Sequence, residues 1–110
     1  MKKVGIIRCQ QTEDLCLGTT CLKVAAAGKL AFDEIGASEV VGIITCGGCP
    51  GKKAVQRAEM FVNKGVEVLV LASCIFKGTP IGFPCPNAEQ MKAAIRKNVG
   101  DDIIILDYSH

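Results

Sequence analysis

The chain has 110 residues, seven of them cysteine, and a formal net charge of +2. This length is enough for an ordinary hydrophobic core, and we expect one domain over residues 1–110. The mixed signs of charge give no reason to expect nucleic acid or an anionic membrane as a partner. No apolar run reaches the roughly 18 residues of a membrane span, and the apolar stretch near the start is too short for a signal peptide. We therefore expect a cytoplasmic location.

The cysteine content is several times ordinary usage, and its meaning depends on the compartment. A secreted chain would use such a set as a disulfide framework, although an odd number leaves one thiol over. In a reducing cytoplasm the same density indicates metal binding or thiol chemistry.

Apolar periodicity predicts an alternation of strands and helices. The predicted strands are residues 2–8, 39–45, 66–73 and 102–107, and the predicted helices are residues 19–36, 52–65 and 87–100. Leu22, Ala26 and Leu30 lie at helical spacing in the first helix, with Gly36 expected just beyond its end. In the third helix, Asn87 and Gln90 have the spacing of a capping box.

Continuous Ile, Val and Leu runs separated by helices indicate a parallel sheet covered on both faces. Right-handed crossovers then predict a three-layer α/β/α sandwich, flavodoxin-like or Rossmann-like, with four strands in the order 2-1-3-4. Residues 9–19 and 74–86 are predicted as long loops, which are often functional in compact domains.

All seven cysteines are predicted at the same edge of the sheet. Six follow a predicted strand or lie in the loops after the strands, and one opens the first helix: Cys9, Cys16, Cys46, Cys49, Cys74 and Cys85, then Cys21. Carboxyl ends of parallel strands meet at one edge, where open α/β sheets bind ligands. A free cysteine often packs as a small hydrophobe, but none of these lies inside a strand, where a packing cysteine is expected. We therefore expect several of them to form one site.

The segment "GIITCGGCPGKK" places Cys46 and Cys49 between a predicted strand and a predicted helix. Unpaired N–H groups and the helix dipole favour thiolate at such a position, and Lys52 and Lys53 add positive charge.

The glycines of this segment allow two interpretations. Gly47, Gly48 and Gly51 let backbone amides approach a ligand, but they also suit a tight strand-to-helix turn with no ligand. Pro50 fits the first position of a helix. A small anion could rest on this helix start, at Gly47, Gly48, Gly51 and Lys52.

Four thiolates suit zinc or an iron–sulfur cluster. The expected core ligands are Cys46, Cys49 and Cys74, and either Cys9 or Cys85 could be the fourth. The chain has one CxxC pair rather than the two of common zinc domains, which favours a functional site over a purely structural one.

Three other sequence motifs resemble this segment in part. A thioredoxin-type exchange by Cys46 and Cys49 stays open, although the Trp-Cys-Gly-Pro-Cys context is missing and the other cysteines are unnecessary for it. A phosphatase loop is excluded because Lys52 and Val55, rather than arginine, follow the two cysteines at the required distance. A Walker A loop is excluded because Lys53 stands where Ser or Thr is needed.

The segments "TCGGCPGKKAVQRAE", "LASCIFKG" and "PCPNAEQMKAAI" resemble the CGGC domain family, and the resemblance extends over essentially the whole chain. It implies a metal-binding domain, with zinc as the expected metal. The positions it implies for the site are Cys9, Cys46, Cys49, Cys74 and Cys85. The family is noted for histidines, but this chain has only His110, so ligation here would be mainly by thiolate.

Overall fold

The computed structural model, which describes residues 1–110, contains four strands and four α-helices. The strands are β1 (Lys2–Arg8), β2 (Ser38–Thr45), β3 (Val68–Leu71) and β4 (Ile104–Leu106). The helices are α1 (Thr19–Ala27), α2 (Lys52–Asn63), α3 (Ser73–Phe76) and α4 (Ala88–Val99), and short 3-10 turns cover Gln10–Thr12 and Leu30–Phe32. No helix is both long enough and apolar enough to cross a bilayer.

The strands form one parallel sheet in the order β2-β1-β3-β4, which confirms the predicted topology. The residues of β3 are all buried, as are Val4 to Ile7 of β1, so the continuous apolar runs of the sequence lie at the centre of the sheet. At the carboxyl edge, Arg8 of β1 is the register partner of Thr45 of β2. The first three strands therefore deliver their following loops to the same edge.

The helices cover the two faces of the sheet. Gly5 and Gly42 are register partners, and the ring of Phe61 from α2 lies directly over both of them. Gly18, at the start of α1, lies against Ile43, which points to the opposite face because side chains alternate along a strand. We call the face under Phe61 the α2 face and the opposite one the α1 face. The helix α4 packs beside α2.

The first helix is shorter than predicted. It ends at Ala27 because Gly28 adopts a left-handed conformation with φ +66, in the manner of a helix C-cap. The expectation that it continues to Gly36 was wrong. The apolar spacing also selected the wrong side, since Leu22 and Leu30 are 39% and 56% exposed while Cys21 and Ala25 are buried.

The loop predicted after the third strand contains a helix of its own. β3 ends at Leu71, and α3 begins two residues later, so Cys74 lies on a helix rather than in a loop. Asn87 precedes α4 as its N-cap, but its side chain makes no capping hydrogen bond, so the predicted capping box does not form.

The segment after β4 is anchored through Ser109, whose side chain is fully buried. Its Oγ lies 3.1 Å from Cys21 Sγ and accepts a hydrogen bond from the Ser73 N–H at 3.3 Å. Ser73 Oγ in turn accepts from the N–H groups of Ser109 and His110, both at 3.0 Å. These bonds tie the end of the sequence to α1 and α3.

Close packing of α2 on the sheet predicts that Gly5→Ala destabilises the fold. A Cβ at Gly5 would lie 2.6 Å from the Phe61 ring, against 3.0 Å at Gly42. Overpacking of this kind costs about 1–3 kcal/mol, and we expect Gly42→Ala to cost less than Gly5→Ala. Denaturant unfolding of both variants measures the difference.

A Phe61→Leu background provides the control for that comparison. If the clash is the cause, the cost of Gly5→Ala shrinks in this background, as a double-mutant cycle would record. Equal costs with and without the ring would contradict the explanation.

Candidate functional site

A small cavity opens at the carboxyl edge of the sheet and is lined by four thiols. Cys9 comes from the end of β1, Cys46 and Cys49 from the loop between β2 and α2, and Cys85 from the segment before α4. The free space measures about 10 Å³. That is roughly the volume of one water-sized sphere. The same wall includes Met91 of α4, so the cavity lies on the α2 side of the edge.

The loop between β2 and α2 has a backbone that only glycine accommodates well. Gly47, Gly48 and Gly51 have φ values of +83, +99 and +89. A Cβ at Gly47 or Gly51 would also collide with Lys53 or Met91. Pro50, expected as the first residue of the helix, instead precedes the N-cap Gly51. The glycines therefore have a structural role in the turn, whether or not a ligand binds there.

The four thiols differ in their access to solvent. Cys9 and Cys46 are 8% and 6% exposed, Cys85 is half-buried, and Cys49 is exposed. The Asn87 N–H donates to Cys85 Sγ at 3.3 Å. The cavity thus presents two buried thiols at its base and one open thiol at its entrance.

Cys74 lies behind this cavity rather than on its wall. Its Sγ accepts a hydrogen bond from the Cys9 N–H at 3.1 Å, and the residue is 7% exposed. The side chain therefore supports the backbone of Cys9 from the interior.

Cys16 and Cys21 belong to the other side of the sheet. Cys16 Sγ accepts from the Gly18 N–H at 3.4 Å, and Cys21 pairs with Ser109. Both line a separate cleft that also includes His110. The cysteines at the carboxyl edge therefore fall into two groups, one on each face of the sheet. His110, the single histidine, lies with Cys16 and Cys21 and not with the four thiols.

Burial raises the pKa of three thiols, those of Cys9, Cys21 and Cys74. Removal from water raises the pKa of Cys9, and the neighbouring thiols of Cys46, Cys74 and Cys85 raise it further, while a backbone hydrogen bond with Gln11 opposes the rise. Burial likewise raises the pKa of Cys21 and of Cys74. In the metal-free protein these three therefore stay neutral thiols above the pH at which an exposed cysteine ionises.

The four thiols share a cavity wall without converging on one point. No three His, Cys, Asp or Glu side chains are grouped closely enough to hold a metal ion in this structure. The donor set nevertheless has the chemistry of a thiolate metal site.

Several lining residues were not identified from the sequence. Gln10, Gln11 and Asn87 line the cavity, as do Ile75 and Met91. The two glutamines directly follow Cys9, and that adjacency was the available signal. Nothing in the local sequence indicates Met91, which reaches the site only through the packing of α4.

Comparison with known proteins gives the family. The CGGC domain profile matches residues 3–110, so the chain belongs to the CGGC domain family. It is 34% identical over 80 residues to the uncharacterised protein MJ0582 of Methanocaldococcus jannaschii, covering 67% of this chain and 62% of that one. The same archaeon has the uncharacterised protein MJ0766, 38% identical over 58 residues, covering 52% of this chain and 83% of that one. No solved structure matches the chain closely enough to be significant.

The raised thiol pKa values predict how stability of the reduced, metal-free protein depends on pH. An unfolded cysteine ionises near 9.0, whereas folded Cys9, Cys21 and Cys74 ionise only at higher pH. The folded state then binds more protons, so the free energy of unfolding is largest below about pH 9 and falls as the pH rises above it.

Urea unfolding between pH 7 and pH 10, with reductant and chelator present, measures this fall. Cys21→Ser removes one of the three thiols but keeps a hydroxyl beside Ser109, so its stability should decline less steeply with pH. A decline identical to that of the parent chain would show that Cys21 does not contribute.

Proposed function

We propose that the protein binds one metal ion, with zinc as the expected metal, through thiolates at the carboxyl edge of the sheet. The observation that carries this proposal is the arrival of four thiols from three separate loops at a single cavity of about 10 Å³. A packing role would require no such meeting of cysteines from distant parts of the sequence. Membership in the CGGC family supports the same proposal.

The proposed ligands are Cys9, Cys46, Cys49 and Cys85. Zinc is usually held by four ligands in a tetrahedron, and thiolate is among its preferred donors. An iron–sulfur cluster uses the same thiolate donors and is the alternative occupant of this site. Cys74, first expected as a ligand, would instead orient the Cys9 backbone through its 3.1 Å contact.

Binding requires movement that the loop geometry permits. Since no three donors are at ligand spacing in the unbound protein, side chains must rotate toward the ion. Cys49 is exposed and free to turn inward, and it belongs to a glycine-rich loop. Ligation would deprotonate thiols such as Cys9 and release their protons, so metal affinity would rise with pH.

The start of α2 would offset part of the charge of the bound thiolates. Four thiolates and one divalent ion carry a net charge of −2. The helix begins at Lys52 without a side-chain cap, so its dipole faces this negative charge. Lys52 and Lys53, both exposed, add positive charge at the same place.

A second candidate function is thiol–disulfide exchange by the Cys46–Cys49 pair. The observation that favours it is the contrast within the pair, in which Cys49 is exposed and Cys46 is buried. An accessible thiol could attack a disulfide and a buried partner could then resolve the mixed disulfide. This chemistry leaves Cys9 and Cys85 without a role, so we rank it second.

Anaerobic purification followed by elemental analysis tests the first proposal. We expect about one zinc per chain, and we expect cobalt substituted at the site to show the visible absorption of a tetrahedral thiolate complex. Joint Cys46→Ser and Cys49→Ser substitution removes two of the four ligands, so it should weaken binding by more than the roughly 10- to 100-fold that loss of a residue behind a ligand costs.

Cys16→Ser is the matched control, because Cys16 lies at the same edge but on the α1 side. It should keep the full metal content. A chain that holds no metal, and whose Cys46 and Cys49 cycle between dithiol and disulfide against a dithiol reductant, would overturn the first proposal in favour of the second.

A further inference from the structure

Another cleft opens at the same edge, on the α1 side of β2, and it is distinct from the one that Cys16, Cys21 and His110 line. It encloses about 380 Å³. The residues that matter for its chemistry are Arg8, Glu13, Leu17, Ile43, Thr45 and Arg57. It shares no residue with the four-thiol cavity.

The two arginines converge because of the strand register. Arg8 and Thr45 are direct partners at the ends of β1 and β2, so their side chains lie next to each other on one face. Arg57 of α2 donates from Nη1 to the Thr45 carbonyl at 2.8 Å and to Thr45 Oγ1 at 3.0 Å. The Arg57 guanidinium is thus held at Thr45, and Arg8 lines the same cleft from the neighbouring strand.

Neither arginine has an acidic partner. The two ion pairs of the protein are Lys2–Glu67 and Lys92–Asp107, both elsewhere. Arg8 donates from Nη1 to the Cys16 carbonyl, and Arg57 also uses only Nη1. A guanidinium has five N–H donors, so most donors of these two half-buried groups remain available next to the cleft.

We propose that this cleft binds a small organic oxyanion. A phosphate or carboxylate group would accept hydrogen bonds from Arg8, Arg57 and the Thr45 hydroxyl, since guanidinium groups match planar oxyanion geometry with paired bonds. The apolar part of the same molecule would lie on Leu17 and Ile43, which are 91% and 39% exposed. With two arginines and one glutamate on the wall, the cleft carries a net charge of +1.

The proposal is independent of the metal site. It requires neither a thiolate nor an ion in the four-thiol cavity. It also differs from binding at the start of α2, because the donors are side chains at the end of the sheet rather than helix N–H groups.

A two-dimensional NMR titration of the ¹⁵N-labelled protein, read at the backbone amides and arginine Nε groups, tests the proposal. The probes are phenyl phosphate, benzoate and inorganic phosphate, with sodium chloride at equal ionic strength as the blank. We expect saturable shifts at Arg8, Thr45 and Arg57. Phenyl phosphate should bind about five-fold more tightly than inorganic phosphate, because its ring contacts Leu17 and Ile43.

The organic probes also distinguish the two oxyanion classes. Tighter binding of phenyl phosphate identifies a phosphate site and tighter binding of benzoate a carboxylate site, and either result supports the proposal. The absence of saturable shifts with all three probes, or shifts spread over surface lysines, overturns it.

Substitution of the arginines provides the residue-level test. Arg8→Gln and Arg57→Gln should each weaken phenyl phosphate binding by about ten-fold, since each removes charge-assisted hydrogen bonds. Arg96 is the matched control: it too is half-buried and donates to two carbonyls, at 2.9 Å and 2.6 Å, but far from the cleft. Arg96→Gln should leave the affinity unchanged, and an equal loss in this variant would refute a local site.

The arginine variants could fail to fold, so a further variant is chosen at a residue that makes no side-chain hydrogen bond. Glu13 is exposed and makes no side-chain hydrogen bond or ion pair, so Glu13→Gln should fold normally. It removes the one negative charge of the wall, and we expect phenyl phosphate to bind about two- to five-fold more tightly. Unchanged or weaker binding in this variant would contradict an anion site.

Discussion

The approach of α2 to the sheet depends on Phe61 lying over Gly5 and Gly42, and much of the carboxyl edge depends on that approach. Six residues connect β2 to α2, so a helix held this close must begin directly above the end of the strand. The loop that carries Cys46 and Cys49 is therefore folded over the edge rather than extended away from it. Arg57, one turn before Phe61 on the same helix, is brought to the free edge of β2 for the same reason.

The sheet separates two kinds of chemistry at one edge. On the α2 side, four thiols line one small cavity. On the α1 side, two arginines without acidic partners face a cleft large enough for a small molecule. Residues from the end of β1 serve both, because Arg8 and Cys9 are adjacent in sequence and their side chains alternate between the faces.

The sequence was sufficient to predict the sheet, because its strands are apolar runs that have no alternative place in a small α/β fold. The strand order 2-1-3-4 and the location of the cysteines at the strand ends followed from that pattern. The first helix was predicted too long because Gly28 already ends it, although Gly28 and Gly36 both have positive φ values, +66 and +82. Local spacing cannot distinguish two glycines that both fit such a position.

Side-chain partners were less predictable than positions. Cys74 follows the third strand like the others, but a short helix turns its sulfur toward the Cys9 amide and away from the cavity. The role of Arg8 was missed because it depends on a register partner 37 positions later, Thr45, and on a helix that follows it. Contacts of this kind are set by tertiary packing and leave no local pattern in the chain.

The hydrogen bond between Ser109 and Cys21 affects when the Cys21 thiol becomes buried during synthesis. The two residues are separated by 88 positions, so Cys21 leaves the ribosome long before its hydrogen-bonding partner exists. Until Ser109 docks, Cys21 lacks the hydroxyl that lies 3.1 Å from its sulfur in the folded protein. During synthesis Cys21 is therefore less protected before Ser109 has docked than after it.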